Sequence, residues 1–171
     1  MQTVIVVSLS EVKVSGSEGD VLVAYSLGSC VGVALWDPGT RLGGMAHVVL
    51  PSGSARPGDD PGAETEVDPA MPGKFGDTGV RYLASRLRDM GCDLRGLRAW
   101  VAGGAHVLKG LMWPAGDIGA ANVKAVLEAL KALSIPAPLT DVGGDCGRTM
   151  RLYTASGRVT VSSVGRSERD I

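Results

Sequence analysis

A single α/β domain is what this chain of 171 residues predicts, on three observations. Short apolar runs rich in β-branched residues recur along it, each bounded by Gly, Pro or Asp clusters. Two longer segments repeat their apolar residues at helical spacing. A hydrophobic share of 44% suffices for one sizeable core. Strands interleaved with helices make sheets with helical cover, and no internal repeat is present to suggest another architecture.

The N-terminal Met1-Gln2-Thr3-Val4-Ile5-Val6-Val7 is apolar but short and lacks a basic leader, so it reads as a strand rather than a signal peptide. Residues 21–26 and 31–36 read as strands, which leaves Leu27-Gly28-Ser29-Cys30 on their connection. Asp37-Pro38-Gly39-Thr40 is a turn, because proline presets φ and glycine permits positive φ. A third apolar strand over 43–50 carries His47, and three consecutive strands are expected to lie side by side. Residues 51–76 are rich in Pro and Gly and contain Asp59, Asp60, Glu64, Glu66 and Asp68. They read as an exposed loop beside the His47 strand, either a solvated insertion or a flap that meets a partner.

A helix follows over 78–90, with Val80, Leu83, Leu87 and Met90 on one face, Asp77 or Thr78 as its cap and Gly91 at its end. Residues 97–102 read as a strand. The second helix is expected over 123–133, with Asn122 as cap and Val126, Leu127, Leu130 and Leu133 as its apolar stripe. Further strands are expected over 137–142, 149–153 and 158–164, the last two joined by Ala155-Ser156-Gly157.

Cys30 stands on a glycine-lined connection, and His47, one of two histidines, lies seventeen residues further on. A free thiol has a pKa of about 8.5 and is mostly protonated at neutral pH, so a nearby imidazole is what would form an ion pair with it and later return the proton. Glycines leave room for a substrate, and the N–H groups of the turn, around Gly28 and Ser29, are a candidate oxyanion hole. The structural alternative is ordinary: free cysteine is among the most buried residue types, and a histidine in an apolar strand is often a core residue. His106 is the second choice as a base.

The remaining composition excludes several classes. With 17 Lys and Arg against 18 Asp and Glu, the net charge is −1, which gives no electrostatic drive toward nucleic acid or anionic lipid. No apolar run approaches the roughly 20 residues of a membrane span, so a cytoplasmic, non-inserted protein is expected. Cys30, Cys92 and Cys146 lack a CxxC pair and an even count, against both a disulfide framework and structural zinc. Cys92 reads as a helix-end or core residue, Cys146 as an exposed turn residue. Arg81, Arg86, Arg88, Arg95 and Arg98 read as a solvated face or a docking face. Gly143-Gly144-Asp145-Cys146-Gly147-Arg148 lacks the Gly-Lys-Ser/Thr ending of a P-loop and reads as a turn in which Arg148 pairs with Asp141 or Asp145, or helps shape the substrate pocket.

The segments LGSCVGVALWDP (27–38) and GGMAHVVLP (43–51) resemble the CheD family of chemoreceptor glutamine deamidases. So do Lys74-Phe75-Gly76-Asp77, Ala102-Gly103-Gly104-Ala105, Gly116-Asp117-Ile118-Gly119 with Asn122, and Asp141-Val142-Gly143-Gly144 with Gly147-Arg148-Thr149, in order along the chain. The resemblance implies one domain over 1–171, a layered α/β/α sandwich with a mixed β-sheet core, in which Cys30 and His47 are the catalytic pair; Ser29, Gly28 and Ser26 are candidate oxyanion or supporting residues by their place on the turn. It implies hydrolysis of receptor glutamine side chains to glutamate through a cysteine thioester, with no metal or organic cofactor. Expected partners are the cytoplasmic helices of methyl-accepting chemotaxis receptors and a CheC-like phosphatase, with the protein a monomer. One position departs: the family's third catalytic residue is a threonine six places before the cysteine, and Ala24 stands there. What orients His47 is therefore open between Ser26, a backbone carbonyl and water. A weakly active or non-catalytic regulatory protein and a redox-sensing thiol are the alternatives.

Overall fold

The computed structural model describes residues 2–53, 67–107 and 116–171. Two five-stranded sheets stack face to face. The first runs in the order β1 (Thr3–Val6), β3 (Asp20–Leu27), β8 (Arg148–Tyr153), β9 (Arg158–Ser163), β10 (Arg166–Asp170). The second runs β2 (Val12–Ser15), β5 (Gly43–Val48), β4 (Val31–Trp36), β6 (Arg98–Gly103), β7 (Leu139–Val142). Each sheet is mixed: β1 with β3 and β6 with β7 are parallel pairs, and the other pairs are antiparallel. Helices α1 (Gly76–Asp89) and α2 (Ile118–Ala132) pack on each other and on the second sheet.

Alternation along the strands of the second sheet produces two cores. Val33, Leu35, Ala46, Val48 and Val101 face Val80, Leu83, Leu87, Val126 and Leu130 of the helices. Ala34, Met45, Trp100 and Ala102 face Leu22, Ala24, Leu27, Met150 and Leu152 of the first sheet. A strand with both faces covered reads as an unbroken apolar run, which is what β4 and β5 are. The single-domain α/β class and the mixed sheet core are as expected. The order of layers is helix, sheet, sheet, because among the described residues both helices lie on the second sheet.

Other expectations need correcting. β3 is not a neighbour of β4 in one sheet; it pairs with β1 and β8, and meets β4 and β5 across the sheet interface. The α1 N-cap is Phe75, without a side-chain hydrogen bond, while Asp77 lies in the first turn and Met90 is an exposed C-cap rather than part of the apolar stripe. α2 begins five residues earlier than residue 123, and Asp117 caps it by accepting from the N–H groups of Gly119 and Ala120. Asn122 is thus inside the helix and is not its cap. Of the expected acidic loop, residues 54–66 lie outside the described residues, with Asp59, Asp60, Glu64 and Glu66 among them.

Candidate active site

Cys30 sits half-buried on the connection between β3 and β4. The two strands belong to different sheets, so the connection must cross from one layer to the other. A bulge at the end of β3, between Ala24 and Leu27, places Ser26 at φ 57°, a left-handed conformation that strains a non-glycine residue. Gly28 then donates its N–H to the Ser26 carbonyl. Glycines on the neighbouring strand end hold the other side of the turn. Gly104 N–H donates to the Cys30 carbonyl at 2.9 Å, and Ala105 N–H to the Gly28 carbonyl at 2.7 Å. Gly103 has φ 109°, and a Cβ there would stand 2.2 Å from the Cys30 carbonyl oxygen, so no other residue fits.

His47 is opposite Gly32 in the β4–β5 register, and only 2% of its surface is exposed. Cys30 lies two residues from Gly32, diagonal to His47. By alternation His47 shares the face of Met45, toward the first sheet, and Cys30 packs against that same core. Nucleophile and base candidates therefore lie on one face, with a residue lacking a side chain opposite the imidazole. A Cβ at Gly32 would meet Leu27 Cδ1 at 2.9 Å and Met150 Sδ at 3.0 Å.

The open question of what orients His47 resolves to the main chain. Nδ1 lies 3.1 Å from the Val7 carbonyl, in the segment after β1. A carbonyl only accepts, so Nδ1 carries the proton and Nε2 presents its lone pair. Among the described residues Nε2 has no hydrogen-bond partner, Cys30 included. The His47 backbone is fixed in turn, its N–H donating to Glu11 and its carbonyl accepting from Ser10. Among the described residues Ser26 makes no hydrogen bond to the imidazole; it lines an open cleft with Gly28, Arg148, Thr149 and Ser162.

Burial pushes the Cys30 thiol above its ordinary pKa, partly offset by its own N–H against the sulfur. Burial also pulls His47 below its usual value, against the Val7 hydrogen bond and the charge of Glu11. Desolvation thus disfavours both charged forms. Both shifts run against a resting thiolate–imidazolium ion pair.

The dispersed motifs meet at this place. Lys74 accepts from the N–H groups of Val49 and Leu50, and Phe75 bridges Leu50, which together fix the chain just past His47. Gly143 N–H donates to Gly103, and His106 N–H to Gly144, which ties the glycine turn to the strand end under Cys30. Arg148 pairs with Asp141 at 3.1 Å, one of the two expected partners. His106 stands 3.5 Å from Asp117 at the start of α2 and makes no described contact with Cys30. Cys92 is buried against Thr40, and Cys146 is exposed. Arg81, Arg86, Arg88, Arg95 and Arg98 are all exposed.

Sequence reasoning missed the role of Asn122. Its fully buried amide donates to the Ser29 carbonyl at 2.9 Å and to the Val49 carbonyl at 3.0 Å. The signal was a polar residue on the buried face of an amphipathic helix, which the reading as a cap had absorbed.

Residues 60–163 match the family profile described as CheD chemotactic sensory transduction. The probable chemoreceptor glutamine deamidase CheD of Symbiobacterium thermophilum is 45% identical over 96% of this chain and 95% of its own. The probable chemoreceptor glutamine deamidase CheD 2 of Anaeromyxobacter dehalogenans is 37% identical over 94% and 95%. CheD 1 of Syntrophus aciditrophicus, likewise named a probable chemoreceptor glutamine deamidase, is 34% identical over 98% of each. Among solved structures, the hypothetical protein YfiH of Bacillus licheniformis overlays 76% of this chain and 49% of its own, at 14% identity and a TM-score of 0.44. With a profile spanning more than half its length and relatives spanning nearly all of it, this chain belongs to the CheD family.

Proposed function

We propose that this protein hydrolyses the side-chain amide of glutamines on chemoreceptors, giving glutamate and ammonia, with Cys30 as nucleophile and His47 as general base and acid. The observation that carries this reading is the buried imidazole whose Nε2 is unprotonated and unpartnered on the face shared with Cys30. The names of the relatives supply the substrate class.

The steps follow from the protonation states. The Cys30 sulfur attacks the carboxamide carbon as its proton passes to His47 Nε2, so no resting thiolate is required. The oxyanion faces the N–H groups of Ser29 and Cys30, which no backbone carbonyl engages among the described residues. Gly28 and Ser26, just before them in the chain, line the cleft bordered by Arg148 and Ser162. His47 gives its proton to the departing nitrogen, ammonia leaves, and a thioester remains. Water then loses a proton to Nε2 as it attacks the thioester, and the thiol leaves with that proton. The sum is glutamine plus water to glutamate plus ammonia, with no external redox partner. His47 needs its tautomer held throughout, and the Val7 carbonyl serves in place of a side chain at Ala24.

The partner surface inferred is the cytoplasmic helical bundle of methyl-accepting receptors. A CheC-like phosphatase partner is carried by the family resemblance, and a cytoplasmic location and a monomeric state are the remaining expectations of the reading. No helix among the described residues is long and apolar enough to cross a membrane. The test is the intact mass of a receptor cytoplasmic fragment incubated with the protein or with Cys30→Ala. Each converted glutamine adds about one mass unit, NH₂ being replaced by OH. A gain that requires Cys30 supports the reading. An unchanged fragment that a second deamidase does convert would remove it.

A further inference from the structure

We infer that Asn122 is a positioning residue that sets the relative placement of Cys30 and His47, an inference that rests on the deamidase reading. Its amide is the one described side chain that bonds to both strand ends of the site. Nδ2 donates to Ser29, the residue before Cys30, and to Val49, two residues after His47. An amide nitrogen has two hydrogens, and both are used. β4 and β5 are neighbours only as far as the Val31 and Val48 pair, so the ladder does not extend to the nucleophile. Beyond it, the register between Cys30 and the His47 strand passes through Asn122.

The helix is placed for this. Gly104 and Gly119 bring the start of α2 against the end of β6: a Cβ at Gly119 would stand 2.6 Å from the Gly104 carbonyl oxygen, and one at Gly104 would stand 2.9 Å from that of Gly119. The same Gly104 donates its N–H to Cys30. Helix, strand end and nucleophile loop are thereby locked as one unit. The arrangement is not optimised for stability alone, since Asn122 Oδ1 is buried and has no partner among the described residues.

A shift of about 1 Å at a reacting pair can cost about 100-fold in rate, so loss of this tie should appear in kcat rather than in substrate binding. In full-length protein well below its unfolding temperature, Asn122→Ala is expected to lower kcat for a receptor fragment by about 10- to 100-fold, with KM changed less than about twofold. Because Asn122 acts through the pair, its loss is expected to cost little once the base is gone. Asn122→Ala added to His47→Ala should lower the rate of Cys30 alkylation by iodoacetamide less than about twofold further, with the exposed Cys146 as internal control. A lowered melting temperature with kcat unchanged, or full additivity with His47→Ala, would overturn the inference. Should Asn122→Ala fail to fold, Gly119→Ala keeps the amide but pushes the helix off the strand end, and is read by the same two outcomes. Wild-type protein inactive on a competent fragment would instead strike the deamidase reading itself.

Discussion

Cys30 and His47 are held by opposite means. His47 stands in a regular strand with neighbours on both sides and sheets or helices on both faces, and its surroundings are almost entirely buried. Cys30 stands on a half-buried connection between sheets, shaped by a bulge, a left-handed serine and two glycines on the adjoining strand end. The difference fits the roles proposed for the two groups. A base that moves a proton twice needs one tautomer and a pKa set by its surroundings, and a regular buried strand supplies both. A nucleophile that must meet a side chain of another protein needs access, and access is found on loops.

Removing the proposed base tests the His47 half most strongly. His47→Gln is expected to lower kcat for receptor deamidation by about 100- to 10,000-fold, the range of general acid–base catalysis. If the rate stays within a few-fold of wild type, the protected strand has no catalytic purpose.

The pH dependence separates the two environments next. Since burial lowers the His47 pKa, the acid limb of kcat/KM should have its midpoint below the ordinary value of about 6.5. The unfolded chain binds the His47 proton more readily than the native one, so ν_U exceeds ν_N between the two pKa values and stability rises with pH there. The associated stability is thus present above about 6.5 and lost as pH falls toward the native pKa; urea titrations at stepped pH should show this, and His47→Gln should lack it. Cys30 alkylation should still be climbing above pH about 8.5, because its thiol is shifted upward. An alkylation plateau near neutrality would mean a resting thiolate and would contradict the upward shift.

The smallest effect concerns the loop. Ser26→Gly relieves a left-handed serine, a strain of about 1–3 kcal/mol, but adds the backbone entropy of glycine, about 0.5–1 kcal/mol. Stability in urea should rise by about 1 kcal/mol with the rate nearly unchanged. A loss of stability would show that the Ser26 side chain, not its conformation, holds the bulge.

What the sequence shows and what it hides divides along similar lines. β4 and β5 were legible because burial on both faces leaves continuous apolar runs, and α1 because Val80, Leu83 and Leu87 keep helical spacing against the sheet. β10 was not legible, since all five residues are exposed, and β2 was hidden because an edge strand of four half-buried residues carries no strong alternation. Sheet membership was also hidden: nothing local in residues 21–26 tells that β3 turns into the opposite layer at Ser26. For the site, the Cys30 and His47 pair was visible as residue types and as a family pattern. The Val7 carbonyl has no side-chain signature at all, and Asn122 was masked by a simpler role at a helix start.

The proposed mechanism passes the glutamyl acyl group through the sulfur of Cys30 as the amide nitrogen leaves as ammonia, and the intact mass of an acid-quenched mixture of protein and receptor fragment reads that step itself. The expected product is a covalent adduct equal to the two masses less one ammonia, absent with Cys30→Ala and released by hydroxylamine, as a thioester requires. Deamidation by Cys30→Ala at the wild-type rate, with no adduct in either sample, would contradict it.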